Sequence, residues 1–181
     1  MSVNYQLQKE KIISGSNDYL KLGQKKGYFV LDGNKIKYSA SGKKYSFLNP
    51  EEKVRAKYYF NLIEKYKYPP EKICFEVEME DRTPNRFADM VIYGKNNKPY
   101  IVIECKKDGI SDAEFEQATK QSIANARVLK APFAVIVAGN TKRAMETDRW
   151  NSKTQEKAII TDIPILYGKI EEFRYKKGDK N

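Results

Sequence analysis

The chain has 181 residues, enough for one domain with a real core and a small appendage but too few for a multidomain enzyme. It contains no histidine, which removes Ser/His/Asp hydrolases, HNH-type nucleases, Cys/His proteases and the usual zinc enzymes, so chemistry must come from carboxylates, lysines, hydroxyls or a bound cofactor. A formal charge of +10 and a pI near 9.4 point to a polyanionic partner, nucleic acid being favoured over a merely soluble basic surface.

Residues 1–49 hold nine lysines against Glu10, Asp18 and Asp32, so this segment carries over half of the net charge. It is punctuated by Gly23, Gly27, Gly33 and Gly42, and the runs 28–31 and 35–38 flank Asp32, Gly33 and Asn34, an Asp-Gly turn signal. The expectation is a small basic β-hairpin appendage. Asn49, Pro50, Glu51 and Glu52 then supply an N-cap, a proline at the first helical position and a first turn of acids, which opens a helix to about Tyr66. At 100° per residue, Val54, Tyr58, Tyr59, Leu62 and Tyr66 form one broad apolar face, with Glu51 near its middle and Glu52 nearer its edge. A first-turn acid is ordinarily explained by the helix dipole. Its inward position makes Glu51 a candidate site residue as well.

Tyr68, Pro69 and Pro70 end the helix, and residues 72–79 alternate as a strand does. Two short runs rich in β-branched and aromatic residues follow, 86–93 and 100–106, joined by turn residues 94–98. Side chains alternate along a strand, so Glu104 and Lys106 share one face while Cys105 points to the other, and pairing through the short turn brings Asp89 near Glu104. An ionised carboxylate removed from water costs several kcal/mol unless compensated, so two on core strands call for a cation, a proton or a partner. The cysteines, Cys74 and Cys105, have neither disulfide nor metal-ligand spacing and are expected to be core residues.

Ser111 with Glu114 forms a capping box that opens a helix to about Lys130, with Phe115, Ala118, Ser122, Ala126 and Leu129 on its buried face. Gln117, Gln121 and Asn125 line a neighbouring flank, where amides can meet a polar ligand or water. The continuous apolar run 132–138 is expected to be a buried strand parallel to the Glu104 strand and reached by the helical crossover. Residues 158–166 read as an edge strand broken by Pro164, and 176–181 as a polar tail or linker, which leaves 50–175 as the main domain. There is no internal repeat, low-complexity block or Gly-rich phosphate loop, and no apolar stretch approaches the ~18 to 20 residues of a membrane helix, so a cytoplasmic protein without a membrane partner is expected.

A carboxylate on one strand with a Glu and a Lys on one face of the next suits metal-dependent phosphodiester hydrolysis. Asp89 and Glu104 would hold Mg²⁺, or Mn²⁺ in its place, through hard oxygens, with the backbone carbonyl of Cys105 as a further ligand. Lys106 would orient or help deprotonate the attacking water and stabilise charge on the phosphate. Glu51 can approach from the helix packed over the sheet.

The series Asp89, Glu104, Cys105, Lys106, followed by a helix and a buried strand, resembles the PD-(D/E)XK nuclease superfamily. More narrowly, residues 50–55 leading into Leu62, Ile63, Tyr68 and Pro69, then Glu76, Arg86 to Asp89 and Ile103 to Lys106, resemble the N-terminal endonuclease domain of type I restriction enzyme R subunits, over residues 50 to about 140. The resemblance implies a restriction-endonuclease-like α/β/α sandwich with a mixed central sheet, and Mg²⁺-dependent cleavage of double-stranded DNA. Residue by residue, Asp89 and Glu104 match the metal carboxylates, Lys106 the catalytic lysine and Glu51 the helical acid. Gln117 opens the family's Gln-x-x-x-Tyr motif, with Gln121 where the tyrosine is expected. It also implies a motor region, a methyltransferase and a specificity subunit as partners, with ATP used only by that motor region, which this chain lacks. The chain is thus either a fragment of a longer subunit or a stand-alone relative. Two other readings stay open on the residues alone: a buried Asp/Glu/Lys ion-pair cluster that binds no metal, and a DNA-binding module that keeps the nuclease fold without cleaving.

Overall fold

Asn49 starts the helix that covers one face of the main sheet: its side-chain oxygen accepts from the Glu51 backbone N–H at 3.0 Å, and Pro50 fills the first helical turn, where a missing N–H leaves no bond unmade. The structure is a computed structural model that describes residues 18–80, 86–151, 153 and 155–176. The part of the expected appendage at 1–17 and the expected tail beyond 176 lie outside the described residues. Chain order is α1 (Asp18–Lys25), β1 (Phe29–Asp32), β2 (Lys35–Tyr38), β3 (Lys44–Ser46), α2 (Pro50–Glu64), β4 (Ile73–Met79), β5 (Arg86–Tyr93), β6 (Pro99–Lys106), α3 (Asp112–Val128), β7 (Phe133–Ala138), β8 (Thr141–Glu146), α4 (Gln155–Ala158) and β9 (Ile159–Ile160).

The main sheet has six strands in the order β4-β5-β6-β7-β8-β9. Strands β6 and β7 are parallel, joined through α3 as expected, and the other neighbours are antiparallel. Alternation sorts β5, β6 and β7 into two cores. Met90, Ile92, Ile101, Ile103, Cys105, Val135 and Val137 pack with Val54, Tyr58, Tyr59 and Leu62 of α2. Val91, Val102, Ala134 and Ile136 pack with Phe115, Ala118, Ile123 and Ala126 of α3. The result is an α/β/α arrangement around a mixed sheet, the fold class read from the sequence. The Ser111 and Glu114 capping box is present in full.

The N-terminal hairpin forms around Asp32 and Gly33, and it is accompanied by α1 and a third strand, β3, which the sequence reading did not contain. Its inner face joins the α2 core: Phe29, Ile36 and Tyr38 are fully buried there, and the Tyr38 ring stacks on Phe75 with centroids 4.1 Å apart.

The C-terminal part departs from the sequence expectation in two places. Strand β8 went unread because its polar residues are neutralised by partners rather than turned to water: Arg143 pairs with Glu116 at 2.7 Å, Lys142 with Asp162 at 2.6 Å, and Glu146 with Arg174 at 2.6 Å. The expected edge strand over 158–166 shrinks to Ile159–Ile160, because Asp162 turns to accept its neighbour Ile163's N–H and the chain enters a 3-10 turn at Ile165–Tyr167. A Gly139-Asn140 loop joins β7 to β8, with Gly139 at φ 59°. A Cβ there would lie 2.1 Å from the Asp108 carboxylate. Gly139→Ala should therefore lower stability by about 1–3 kcal/mol, from backbone strain plus that clash, measurable as a fall in thermal midpoint.

Candidate active site

Asp89 stands where two strands turn over together. Ala88 and Met90, two apart on β5, belong to opposite cores, and across the ladder so do Phe75 and Val77 of β4. The pairing between these strands is in register on both sides of the break and omits Glu76 and Asp89, and Glu76 has φ 48°, uncommon for a residue with a Cβ. Alternation is suspended there, so Asp89 enters neither core and remains half-buried at the sheet. The Lys43 ammonium donates to the Phe75 carbonyl at 2.9 Å, beside the break, and Arg55 lies 3.6 Å from the Glu76 carboxylate.

Carrying the β5–β6 register one step beyond Met90 and Ile103 sets Asp89 opposite Glu104. The Asp89 Oδ2 accepts the Cys105 backbone N–H at 2.7 Å. Glu104 is 3% exposed, and its Oε1 accepts from the Lys106 ammonium at 3.0 Å and from the Gln121 amide at 3.0 Å. Two donors on one oxygen fix the carboxylate, leaving Glu104 Oε2 buried without a hydrogen-bond partner among the described residues. An orphaned buried acceptor of this kind is unusual and calls for an ion, a proton or a water. The electrostatics agree. Burial, reinforced by the Asp89 charge and opposed by Lys106, pushes the Glu104 carboxyl up to about 7. Burial raises Asp89 too, against the pull of the Cys105 N–H, Arg55 and Lys106. For Lys106 burial works to discharge the ammonium, but Glu104 outweighs it and the net shift is upward.

Glu51 is half-buried and lies close enough to add like charge to both carboxylates. The buried helical acid is instead Glu52, 4% exposed, where the sequence reading placed Glu52 nearer the edge of the helix face. Glu52 is drawn inward by two partners: a buried ion pair to Arg55, three residues on along α2, and the Tyr38 hydroxyl, which donates to it at 2.5 Å. Arg55 also lies over the Tyr45 ring, 4.1 Å from its centroid, and helps to hold Asp89 ionised. Neither Glu52 nor Arg55 was among the sequence candidates, although an acid and an arginine at (i, i+3) on an otherwise apolar face is a readable pattern.

Gln117 is exposed and forms part of the wall of an open cleft of about 540 Å³, lined also by Arg86, Phe87, Lys120, Gln121 and Ala124. The amide that reaches the carboxylates is Gln121, the residue standing where a tyrosine was expected. The cleft therefore opens beside Glu104, with two cations, two amides and one exposed aromatic ring on its walls.

Among the described residues no three acidic, cysteine or histidine side chains gather into a ready-made cation cage. The donors present still suit a hard divalent ion: two carboxylates with raised proton affinity, one offering a buried oxygen that no described residue satisfies. Residues 50–164 match the family described as type I restriction enzyme R protein N terminus. No curated protein matches the chain.

Proposed function

The chain belongs to the type I restriction enzyme R protein N-terminal family, and from that premise we propose that it is a Mg²⁺-dependent endonuclease module that hydrolyses phosphodiester bonds in double-stranded DNA. The observation that carries this reading is Glu104 Oε2, unpartnered among the described residues, beside Asp89 and with Lys106 on the same strand face. Asp89, Glu104 and the Cys105 carbonyl are the groups that would hold the ion. Once bound, Mg²⁺ or Mn²⁺ supplies Lewis acidity and a water of lowered pKa.

The chain's own residues have distinct tasks. Lys106, kept as an ammonium by Glu104, orients water and offsets negative charge at the phosphate rather than starting as a base. Gln121 fixes the Glu104 carboxylate through Oε1, so that Oε2 would be the oxygen left to hold the ion. Arg86 and Lys120 line the cleft where phosphates approach, and Gln117 offers an amide on the same wall. In this reading the motor region, methyltransferase and specificity subunit of a type I complex are partners, and ATP is consumed by the motor region alone.

Cleavage is tested in the motor-competent assembly, with Lys106→Met as the diagnostic variant. The expected result is Mg²⁺-dependent cleavage by the wild type and a loss of about 10²–10⁴-fold in the variant, with Mn²⁺ affinity retained. No Mg²⁺-dependent cleavage from an assembly with these residues intact would overturn the proposal.

A further inference from the structure

The outer face of the N-terminal sheet contains an arrangement that works against the fold. Val30, Lys37 and Lys44 form a straight row across β1, β2 and β3, so two lysines stand directly opposite each other on neighbouring antiparallel strands. Like charges so placed are destabilising. Lys35 lies on the same face, two residues along β2, and among the described residues of the three strands the only carboxylate on that face is Asp32. All three lysines are exposed, and among the described residues none of their ammonium groups makes a hydrogen bond or an ion pair. Lysine is common on edge strands as a guard against aggregation, but Lys35 and Lys37 sit on β2, the central strand, where no edge needs guarding.

We propose that this face binds the phosphate backbone of duplex DNA. A polyanion removes the Lys37–Lys44 repulsion and gives the row a partner, and the sheet is rigidly tied to the elements around Asp89. Its inner face contributes Tyr38 to Glu52 and Tyr45 to Arg55, and the Lys43 ammonium caps the Phe75 carbonyl. DNA held on the lysine row is thus registered against α2 and β4, the elements that frame the carboxylates. The family match begins at Pro50, so the family assignment does not extend to this sheet. The proposal rests on the nuclease reading only for the identity of the polyanion.

The test is fluorescence anisotropy of a short duplex of arbitrary sequence with the 181-residue chain, across ~50–200 mM salt. The variant is the triple substitution Lys35→Gln, Lys37→Gln, Lys44→Gln, and a charge-matched control changes Lys153, Lys157 and Lys169 to Gln. Expected are a loss of affinity of about tenfold or more at ~0.1 M salt, and a log–log salt slope shallower by about 2 to 3. The control keeps nearly the wild-type slope. The thermal midpoint of the lysine variant equals or exceeds that of the wild type, because a repulsive pair has gone. Unchanged affinity and slope, an equal loss in the control, or a lower midpoint in the lysine variant would each overturn the proposal. A wild type that fails to bind duplex DNA while still binding Mn²⁺ through Asp89 and Glu104 would overturn it and leave the nuclease reading standing.

Discussion

Glu104→Gln is expected to abolish metal-dependent cleavage while making the metal-free protein more stable near neutral pH. The functional loss follows from removing one of two anionic ligands. Lewis-acid stabilisation of the transition state contributes several kcal/mol, so a loss of about 10³-fold or more is expected. The stability gain follows from linkage. In the folded protein Glu104 is pushed up to about 7 from an ordinary 4.5, first by burial and then by Asp89. The folded state therefore holds this proton more tightly than the unfolded chain does, and stability falls as pH rises from the ordinary carboxyl range through about 7. The drop is on the order of 3 kcal/mol by the conversion of about 1.4 kcal/mol per pKa unit, and Asp89, shifted the same way, adds to it. Glutamine keeps the shape without the charge, so the variant should lose most of that slope. Mn²⁺ at about 100 times its Kd should restore about 2.7 kcal/mol to the wild type and little to the variant. Urea unfolding at mildly acidic and mildly basic pH, with and without Mn²⁺, measures all four quantities. A wild type whose metal-free stability stays level or rises over that interval would contradict the assignment.

Arg55→Met should destabilise the fold by about 3–5 kcal/mol, the range for breaking a buried ion pair from one side. Arg55 and Glu52 are 5% and 4% exposed, so the Glu52 carboxylate would be left with the Tyr38 hydroxyl as its remaining partner in a site closed to water. Contact with the Tyr45 ring disappears too, and Asp89 loses a nearby positive charge. The double substitution Glu52→Gln with Arg55→Met should recover most of the loss, since replacing both charges removes the desolvation penalty along with the attraction. Denaturant titration of the single and double variants decides it. A single-variant loss below about 1 kcal/mol would mean that the pair is open to solvent.

The strands and helices around the site were legible because their sequence signals are local. Asn49 with Pro50 and Ser111 with Glu114 mark helix starts, and the β5 and β6 runs are bounded by turn residues. The proximity of Asp89 and Glu104 followed from hairpin register. What stayed hidden depends on contacts distant in sequence. The joint turnover at Glu76 and Asp89 interrupts alternation on two strands at once, which one strand's pattern cannot disclose. Glu52 is buried because Tyr38, from another sheet, reaches it. Gln121 rather than Gln117 meets Glu104, a choice set by how α3 packs on β6 and β7 and not by the helix pattern alone. Strand β8 escaped notice because its charges are paired internally, although the Gly139-Asn140 loop before it was a usable hairpin signal.

The central claim is that Asp89 and Glu104 form a divalent-cation site, and anomalous diffraction from crystals soaked in Mn²⁺ tests it most directly. The expected result is a peak between the two carboxylates, within bonding reach of Glu104 Oε2 and on the side of the Cys105 carbonyl. A fully soaked crystal with no peak there, and Glu104 Oε2 satisfied by a proton or a water instead, would contradict it.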